Sequence, residues 1–416
     1  MKPFWPLWAA LFLAPILGWL SALILLAVAV SRIAELGIRR AVAQTFARRQ
    51  TTQWLTSVAL GWWFVLLIGD LLARNPVAWW SDLRFLLVLL PALVLCPAWH
   101  RSDIRYEAIG RWATWSVWIT VIVIALEYWV AVKWMGLPYY RPRALSGNAL
   151  FVSAMLMPLM LWCWLAPPAS EKYPWMRPLA TYLAGLMCLA SLLGARTSTL
   201  IAVLLLPFAL WWGGRHGHGW QRLKPVVLGL FILTLALAAW HPWMSDWYEQ
   251  RWTALVQVIG GNDPTALQDY GIATRAQHWP AAWRAFLDRP WSGHGFLNEV
   301  AILRAYLPPG TPVLPTAHQQ FLSFLLWSGV PGLVAGVLFI GLPLVMVLIR
   351  RRGSTAWYAA CALAVPMLLN GLTDTVFDDL RIVSYHLTMV ILLDAAVETQ
   401  RPDLRGEAPV EARAAT

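Results

Sequence analysis

The chain has 416 residues, of which 59% are hydrophobic and 13% charged, whereas an ordinary soluble domain carries about a quarter charged residues. That balance excludes a soluble enzyme. The net charge of +11 does not point to nucleic acid, because the Lys and Arg residues gather in short links between apolar runs, where cytoplasmic retention of positive charge explains them.

Apolar runs fall at 7–30, 53–73, 83–99, 112–133, 148–166, 178–195, 197–213, 225–240, 318–349, 356–372 and 382–395. Runs of roughly 17 to 25 residues suit a hydrocarbon core about 30 Å thick. The expected fold is therefore all-α: a polytopic transmembrane bundle of 11–12 helices in a single membrane domain over residues 1–416. The first run outlasts a signal peptide and has no small-residue cleavage site, so it is expected to stay as an anchor. It forms one span, or two short segments broken near Gly18.

Basic residues cluster at 32–49, 100–111, 172–177, 215–224 and 350–352, which assigns those segments to the cytoplasm. The links at 74–82, 134–147, Arg196, 241–317 and 373–381 then face the other side. The run at 318–349 exceeds one span, and Gly329, Pro331 and Gly332 predict a break in it. Cys96, Cys163, Cys188 and Cys361 match neither a disulfide framework nor a zinc site and read as packing residues. Trp79, Trp80, Trp211 and Trp212 fit an interfacial aromatic belt. Residues 397–416 read as a disordered cytoplasmic tail.

The 241–317 segment is far longer than an ordinary connection, and loops of that length are usually functional or disordered. Six tryptophans, from Trp243 to Trp291, argue for structure. Within Thr274–Leu287, the spacing of Trp279, Trp283 and Phe286 predicts an amphipathic helix along the membrane surface, interrupted or kinked at Pro280.

Ionisable residues near membrane depth are costly and are functional candidates by default. Arg196 stands in Gly194-Ala195-Arg196-Thr197-Ser198 between two apolar runs. It either anchors a helix end among headgroups or faces a phosphate, for which a guanidinium fork is suited. Arg275 precedes Pro290-Trp291-Ser292-Gly293-His294-Gly295, whose glycines permit close backbone approach to a ligand. His318 lies where the loop enters the next span, either as an interfacial residue or as a general base, since imidazole titrates near neutrality. Asp374, Asp378 and Asp379 with Arg381 either pair internally or hold a divalent cation. His216 and His218 are a weaker metal signal, and no nucleotide-binding loop is present.

Arg196 in a small-residue hairpin, Arg275 before a Pro-x-x-Gly-x-Gly turn, and Ala317-His318 followed by Gly329-x-x-Gly332 occur in one order. In that order and membrane placement the sequence resembles the O-antigen ligase and polymerase superfamily, at motif level over residues 180–350. The resemblance implies a GT-C-like helical fold with one long periplasmic loop containing amphipathic helices. It implies an O-antigen ligase in the inner membrane of a Gram-negative bacterium, with its active site facing the periplasm. Such a glycosyltransferase moves O-antigen polysaccharide from undecaprenyl diphosphate to lipid A–core and completes lipopolysaccharide biosynthesis. The transfer is inverting and metal-independent, with no cofactor and no metal ligand.

The family's functional residues map onto Arg196, Arg275 and His318. Arg284, His294 and Gln319 join Arg196 and Arg275 as candidate contacts to diphosphate or glycan, and Gln319 stands where the family often has Asn. The Arg284-x₁₀-Gly295 spacing also resembles a polymerase loop motif. The same donor serves an O-antigen polymerase or a protein O-oligosaccharyltransferase, and these are the alternatives. A lipid-linked glycan flippase or transporter is the alternative from another class, although the inverted repeats of many transporters are not visible.

Overall fold

The computed structural model describes residues 12–17, 19–36, 50–74, 83–87, 89, 104–137, 149–165, 176–191, 196–215, 253–254, 256–257, 270–296, 298–350 and 354–399. Helices account for nearly all of them, and no strand occurs among the described residues. Two helices, Ala14–Leu17 and α1 (Trp19–Leu36), meet where the sequence suggested a break near Gly18. Then come α2 (Gln50–Ala73) and α3 (Tyr106–Trp129), which continues through a π-helical turn at Val130–Trp134. The helix α4 (Ala149–Trp162) is followed by α5 (Met176–Ser191) and α6 (Arg196–Arg215). The loop supplies α7 (Tyr270–Asp288) and α8 (Glu299–Tyr306), and the chain ends in α9 (Gln320–Ile340), α10 (Leu342–Arg350), α11 (Ser354–Gly371) and α12 (Leu380–Thr399).

Among the described residues, four stretches are long and apolar enough to cross a membrane: Trp54–Ala73, Tyr106–Trp134, Gln320–Ile340 and Leu380–Val397. Three shorter apolar helices lie at Ala149–Leu165, Met176–Ala190 and Thr197–Gly213. The expected span at 225–240 and most of that at 83–99 lie outside the described residues, as do Trp79, Trp80, Cys96, His216 and His218. At the C-terminus, α12 extends to Thr399 and takes in the first three residues expected to belong to the tail.

Burial separates central from peripheral helices. In α12, 94% of the membrane-length window is buried, against 28% in α3. The whole stretch Val152–Leu165 in and after α4 is likewise buried. Lipid gives no hydrophobic push between helices, so polar contacts and tight packing hold them together. The indole of Trp162 donates to the Ala359 carbonyl at 2.9 Å, and the Tyr358 hydroxyl returns a bond to the Leu161 carbonyl at 2.7 Å, joining α4 to α11 twice. Tyr385 of α12 donates to the Met155 carbonyl at 2.9 Å.

This packing also corrects the belt assignment at one position. Trp211 is exposed, but Trp212 is buried and stacks on Tyr358 with ring centroids 4.6 Å apart. Adjacent helical residues point about 100° apart, so paired tryptophans need not share a face. Cys163, Cys188 and Cys361 are free thiols in or at the ends of helices.

The expected break in the 318–349 run is an elbow. Ser328 (φ −144°, ψ 23°) and Gly329 (φ 66°, ψ −155°) leave helical geometry inside α9. A Cβ on Gly332 would lie 2.6 Å from the Phe324 carbonyl oxygen, and one on Gly336 would lie 2.5 Å from the Phe324 ring. In a straight helix those residues stand about 12 and 18 Å apart along the axis. The first arm, Gln320–Trp327, is therefore about 12 Å long, too short to cross the hydrocarbon by itself.

Breaking a helix at membrane depth frees backbone groups that must find partners. The loop supplies them. His294 N–H donates to the Leu326 carbonyl at 2.7 Å, Gly295 N–H donates to the Trp327 carbonyl at 3.0 Å, and the Pro290 carbonyl accepts from Val330 N–H at 2.8 Å. Pro331 falls in the first turn of the second arm, where a missing N–H costs little. Gly293 and Gly329 allow this interlock, since a Cβ on Gly293 would lie 2.5 Å from the Ser328 nitrogen and one on Gly329 would lie 2.4 Å from the Pro290 oxygen.

Candidate functional site

The helix α7 carries Arg275, Arg284 and two of the loop's six tryptophans, Trp279 and Trp283. It is continuous through Pro280, against the expected interruption. Its inward face is made mostly of small residues. Thr274, His278, Ala281, Ala282, Ala285 and Phe286 are buried at helical spacing, while Trp279 and Trp283 are exposed. Alanines permit close approach to the bundle, and the indoles turn outward as in a helix lying on a membrane surface.

The turn that carries His318 is held from three sides. The Ala317 N–H donates to Glu299 Oε2 at 2.6 Å, and the Ala317 carbonyl accepts from the Trp279 indole at 3.0 Å. Glu299 Oε1 also accepts from the Trp327 indole at 2.7 Å, tying the turn to the elbow. His318 is thereby fixed at φ 52°, a left-handed conformation uncommon outside glycine and asparagine. Gln319 caps α9, its side-chain oxygen accepting from Leu322 N–H.

The link between α11 and α12 receives the candidate residues. His318 Nδ1 lies 3.1 Å from Asp374 Oδ1, and Arg275 donates to the Thr373 carbonyl at 3.3 Å. Arg196 is the first residue of α6, and its side chain lies outside the described residues. Two residues on, Ser198 donates to Asn370 Oδ1 at 2.9 Å, and the Asn370 carbonyl accepts from the N–H groups of Thr373 and Asp374 at 3.0 Å each. Segments distant in sequence thus meet on residues 370–374.

Gln320 fixes that link, its Oε1 accepting from Val376 and Phe377 N–H at 2.7 Å each. Asp374 Oδ1 also accepts from Thr375 N–H at 2.9 Å. Asp379 forms a close two-pronged pair with Arg381, which lies 4.6 Å from the centroid of the Phe151 ring. The acidic residues therefore divide their roles: Asp374 meets the histidine and Asp379 meets the arginine. No cluster of three metal-ligating side chains occurs among the described residues.

Burial pushes the carboxyls of Glu299 and Asp378 above their ordinary range, and their mutual repulsion adds to the shift of Asp378. Hydrogen bonds to Glu299 act in the opposite direction.

Arg284 and His294 stand elsewhere in the loop. Arg284 donates to the Pro280 carbonyl at 3.4 Å and the Tyr306 carbonyl at 3.3 Å, and His294 Nε2 donates to the Ala285 carbonyl at 2.7 Å. Both hold α7 against its neighbours. The N–H groups of Gly293, His294, Gly295 and Phe296 bond to Arg289, Leu326, Trp327 and Asp70, so the turn presents them to the protein and not to a ligand.

Four important residues carry no motif. Asp70 was visible as a carboxylate inside an apolar run; it is buried in α2 and accepts from Phe296 N–H at 2.6 Å. Glu299 and Gln320 gave no signal, because only the fold shows what they bond. His278 is the fourth. Its Nδ1 donates to the Thr274 carbonyl at 2.8 Å and its Nε2 accepts from Leu314 N–H at 3.2 Å, which defines a neutral tautomer.

Burial, with a smaller contribution from the charge of His318, lowers the pKa of His278 below its ordinary 6.5. An unfolded histidine takes up a proton as pH falls through about 6.5, while the folded one does so only at lower pH. The loop's stability is therefore full above that value and declines as pH falls toward the folded pKa. Thermal unfolding in detergent is expected to show a lower midpoint at about pH 5.5 than at about pH 7.5. In His278→Ala the midpoint starts lower and this part of the pH dependence is lost.

These observations define a helical membrane protein with a histidine–carboxylate pair and an arginine meeting at one helix link. Residues 180–337 match a family model described as O-Antigen ligase. The match runs from α5 into the second arm of α9 and includes Arg196, Arg275, Arg284, His294, His318 and Gln319, but not Asp374. Members of that family are glycosyltransferase-like ligases and polymerases, and the matched segment is similar to them. No curated protein matches the chain.

Proposed function

We propose that this protein is an O-antigen ligase that transfers a polysaccharide from undecaprenyl diphosphate to lipid A–core at the periplasmic face of the inner membrane. The observation that carries the reading is the meeting of Arg275 and His318 on the consecutive residues Thr373 and Asp374. In the reaction an acceptor hydroxyl oxygen attacks the anomeric carbon as the bond from that carbon to the diphosphate oxygen breaks. The diphosphate leaves with the electron pair, and direct displacement inverts the anomeric centre.

In this scheme Asp374 accepts the Nδ1–H of His318, leaving Nε2 as the base that takes the hydroxyl proton. Arg275 and Arg196 hold the negative charge of the departing diphosphate through charge-assisted hydrogen bonds. Gln319 orients the entrance to α9 beside them, and Arg284 and His294 support the loop that carries Arg275. The GT-C-like assignment and the periplasmic position of the loop belong to the same reading. The charge pattern along the sequence supports the position of the loop, and the GT-C-like assignment rests on the family resemblance.

The test is reconstitution of the full-length protein with purified donor and acceptor. Attached polysaccharide on lipid A–core, unchanged by EDTA, is the expected result. Donor chains joined to one another identify a polymerase, and transfer to a protein acceptor identifies an oligosaccharyltransferase. Movement of lipid between leaflets without transfer overturns the enzyme reading, and loss of transfer under EDTA overturns metal independence. Asp374→Asn is expected to lower the rate by about 10-fold or more at nearly unchanged KM, because it disturbs the histidine tautomer and not uniform substrate binding.

A further inference from the structure

A second charged site lies at the other end of α7. The span Trp54–Ala73 ends beside the turn that follows α7, and the two enclose an open groove of about 520 Å³. Arg74, Arg289, Trp291 and Ser292 line it, together with Leu72 and Asp288. It is separated from Arg275 by about 20 Å along the axis of α7.

The groove favours an anion. Arg74 and Arg289 are exposed, and among the described residues neither forms an ion pair. Asp288 accepts a hydrogen bond from the Tyr306 hydroxyl, which engages one of its oxygens. Arg74 adopts φ 53° immediately after the last residue of α2, a left-handed exit usually given to glycine. An arginine kept in a sparsely populated conformation at a membrane boundary invites a functional explanation.

The surroundings favour an amphiphile. Phe64, Ile68, Leu71 and Leu72 recur on one face of α2, and all four are exposed, with Leu72 at 60%. This apolar stripe leads directly to the groove. Trp291 is 73% exposed at the groove itself, as suits an indole among headgroups.

We propose that this groove binds an anionic phospholipid of the surrounding leaflet, with its phosphate between Arg74 and Arg289 and an acyl chain along the α2 stripe. The bound lipid also bears on the elbow of α9, because Pro290, whose carbonyl accepts the Val330 N–H, lines the same groove. This proposal does not depend on the identity of the transferred glycan.

The experiment is native mass spectrometry and thermal unfolding of the delipidated full-length protein with added phosphatidylglycerol or phosphatidylcholine. Phosphatidylglycerol is expected to be retained preferentially and to raise the unfolding midpoint. The double variant Arg74→Gln with Arg289→Gln is expected to retain it roughly 10- to 30-fold less well, on the scale of two surface basic residues. Arg289→Lys, which keeps the charge, is expected to preserve most of the preference. Equal retention of both lipids, or a double variant indistinguishable from the parent, overturns the proposal. So does an equal rise in midpoint with inorganic phosphate alone, which would mark a site for a soluble anion.

Discussion

Exchange of His318 for asparagine is expected to lower glycan transfer about 10²- to 10⁴-fold while the protein stays folded, because a general base contributes on that scale. Asparagine is the informative replacement. His318 occupies φ 52°, and asparagine is among the few residues that tolerate such a conformation. Its amide also keeps a donor for Asp374, which lies 3.1 Å from the imidazole. The turn should survive, since Ala317 is anchored through its own backbone to Glu299 and Trp279. Only a basic nitrogen is removed. The measurement is transfer rate in the reconstituted system alongside the thermal midpoint. A rate within a few-fold of the parent at unchanged stability sinks the assignment of His318 as base.

The second large effect concerns folding. Gly329→Ala is expected to destabilise the protein by roughly 2–6 kcal/mol, from backbone strain and steric overlap together. At φ 66° and ψ −155° this residue occupies a region that is nearly reserved for glycine. A Cβ there would approach the Pro290 carbonyl oxygen to 2.4 Å. Relief requires the Pro290 turn to move, which loosens the bond between Pro290 and Val330 and the adjoining bonds from His294 and Gly295.

Gly310→Ala separates the two causes. Gly310 also has positive φ, 84°, but nothing lies within 4 Å of the added carbon. Its cost is therefore expected to be only about 1 kcal/mol of conformational strain. Chemical unfolding of both variants in detergent gives the comparison, and equal stability of the two would refute the interlock as a source of stability.

The elbow illustrates how far local reading reaches. Gly329, Pro331 and Gly332 announce a break because their effect on a helix is intrinsic to the backbone. The direction and sharpness of the bend are not intrinsic. They depend on the Pro290–Gly295 turn, about 35 residues earlier, which takes up the exposed carbonyls. The glycines of that turn, Gly293 and Gly295, suggested close approach to a ligand, and at Gly293 close approach does occur, but the neighbour is the elbow itself. Likewise, helical spacing in α7 marked an amphipathic helix without revealing which face turns inward. Small alanines can pack more closely than indoles, and that competition is decided only against the actual surface of the bundle.

By itself, the sequence determined that this is an all-helical membrane protein with a structured long loop, because hydrophobic length, charge placement and backbone-breaking residues act locally. It also marked Arg275 and His318, since ionisable groups beside apolar spans stand out by their cost. Tertiary structure alone decided that both meet residues 373–374, that Glu299 and Gln320 brace that meeting, and that Asp374 and Asp379 take different partners. Apart from the local pair of Asp379 with Arg381, those outcomes rest on hydrogen bonds between residues 18 to 98 positions apart. Such bonds require distance and direction, which no spacing along a chain encodes.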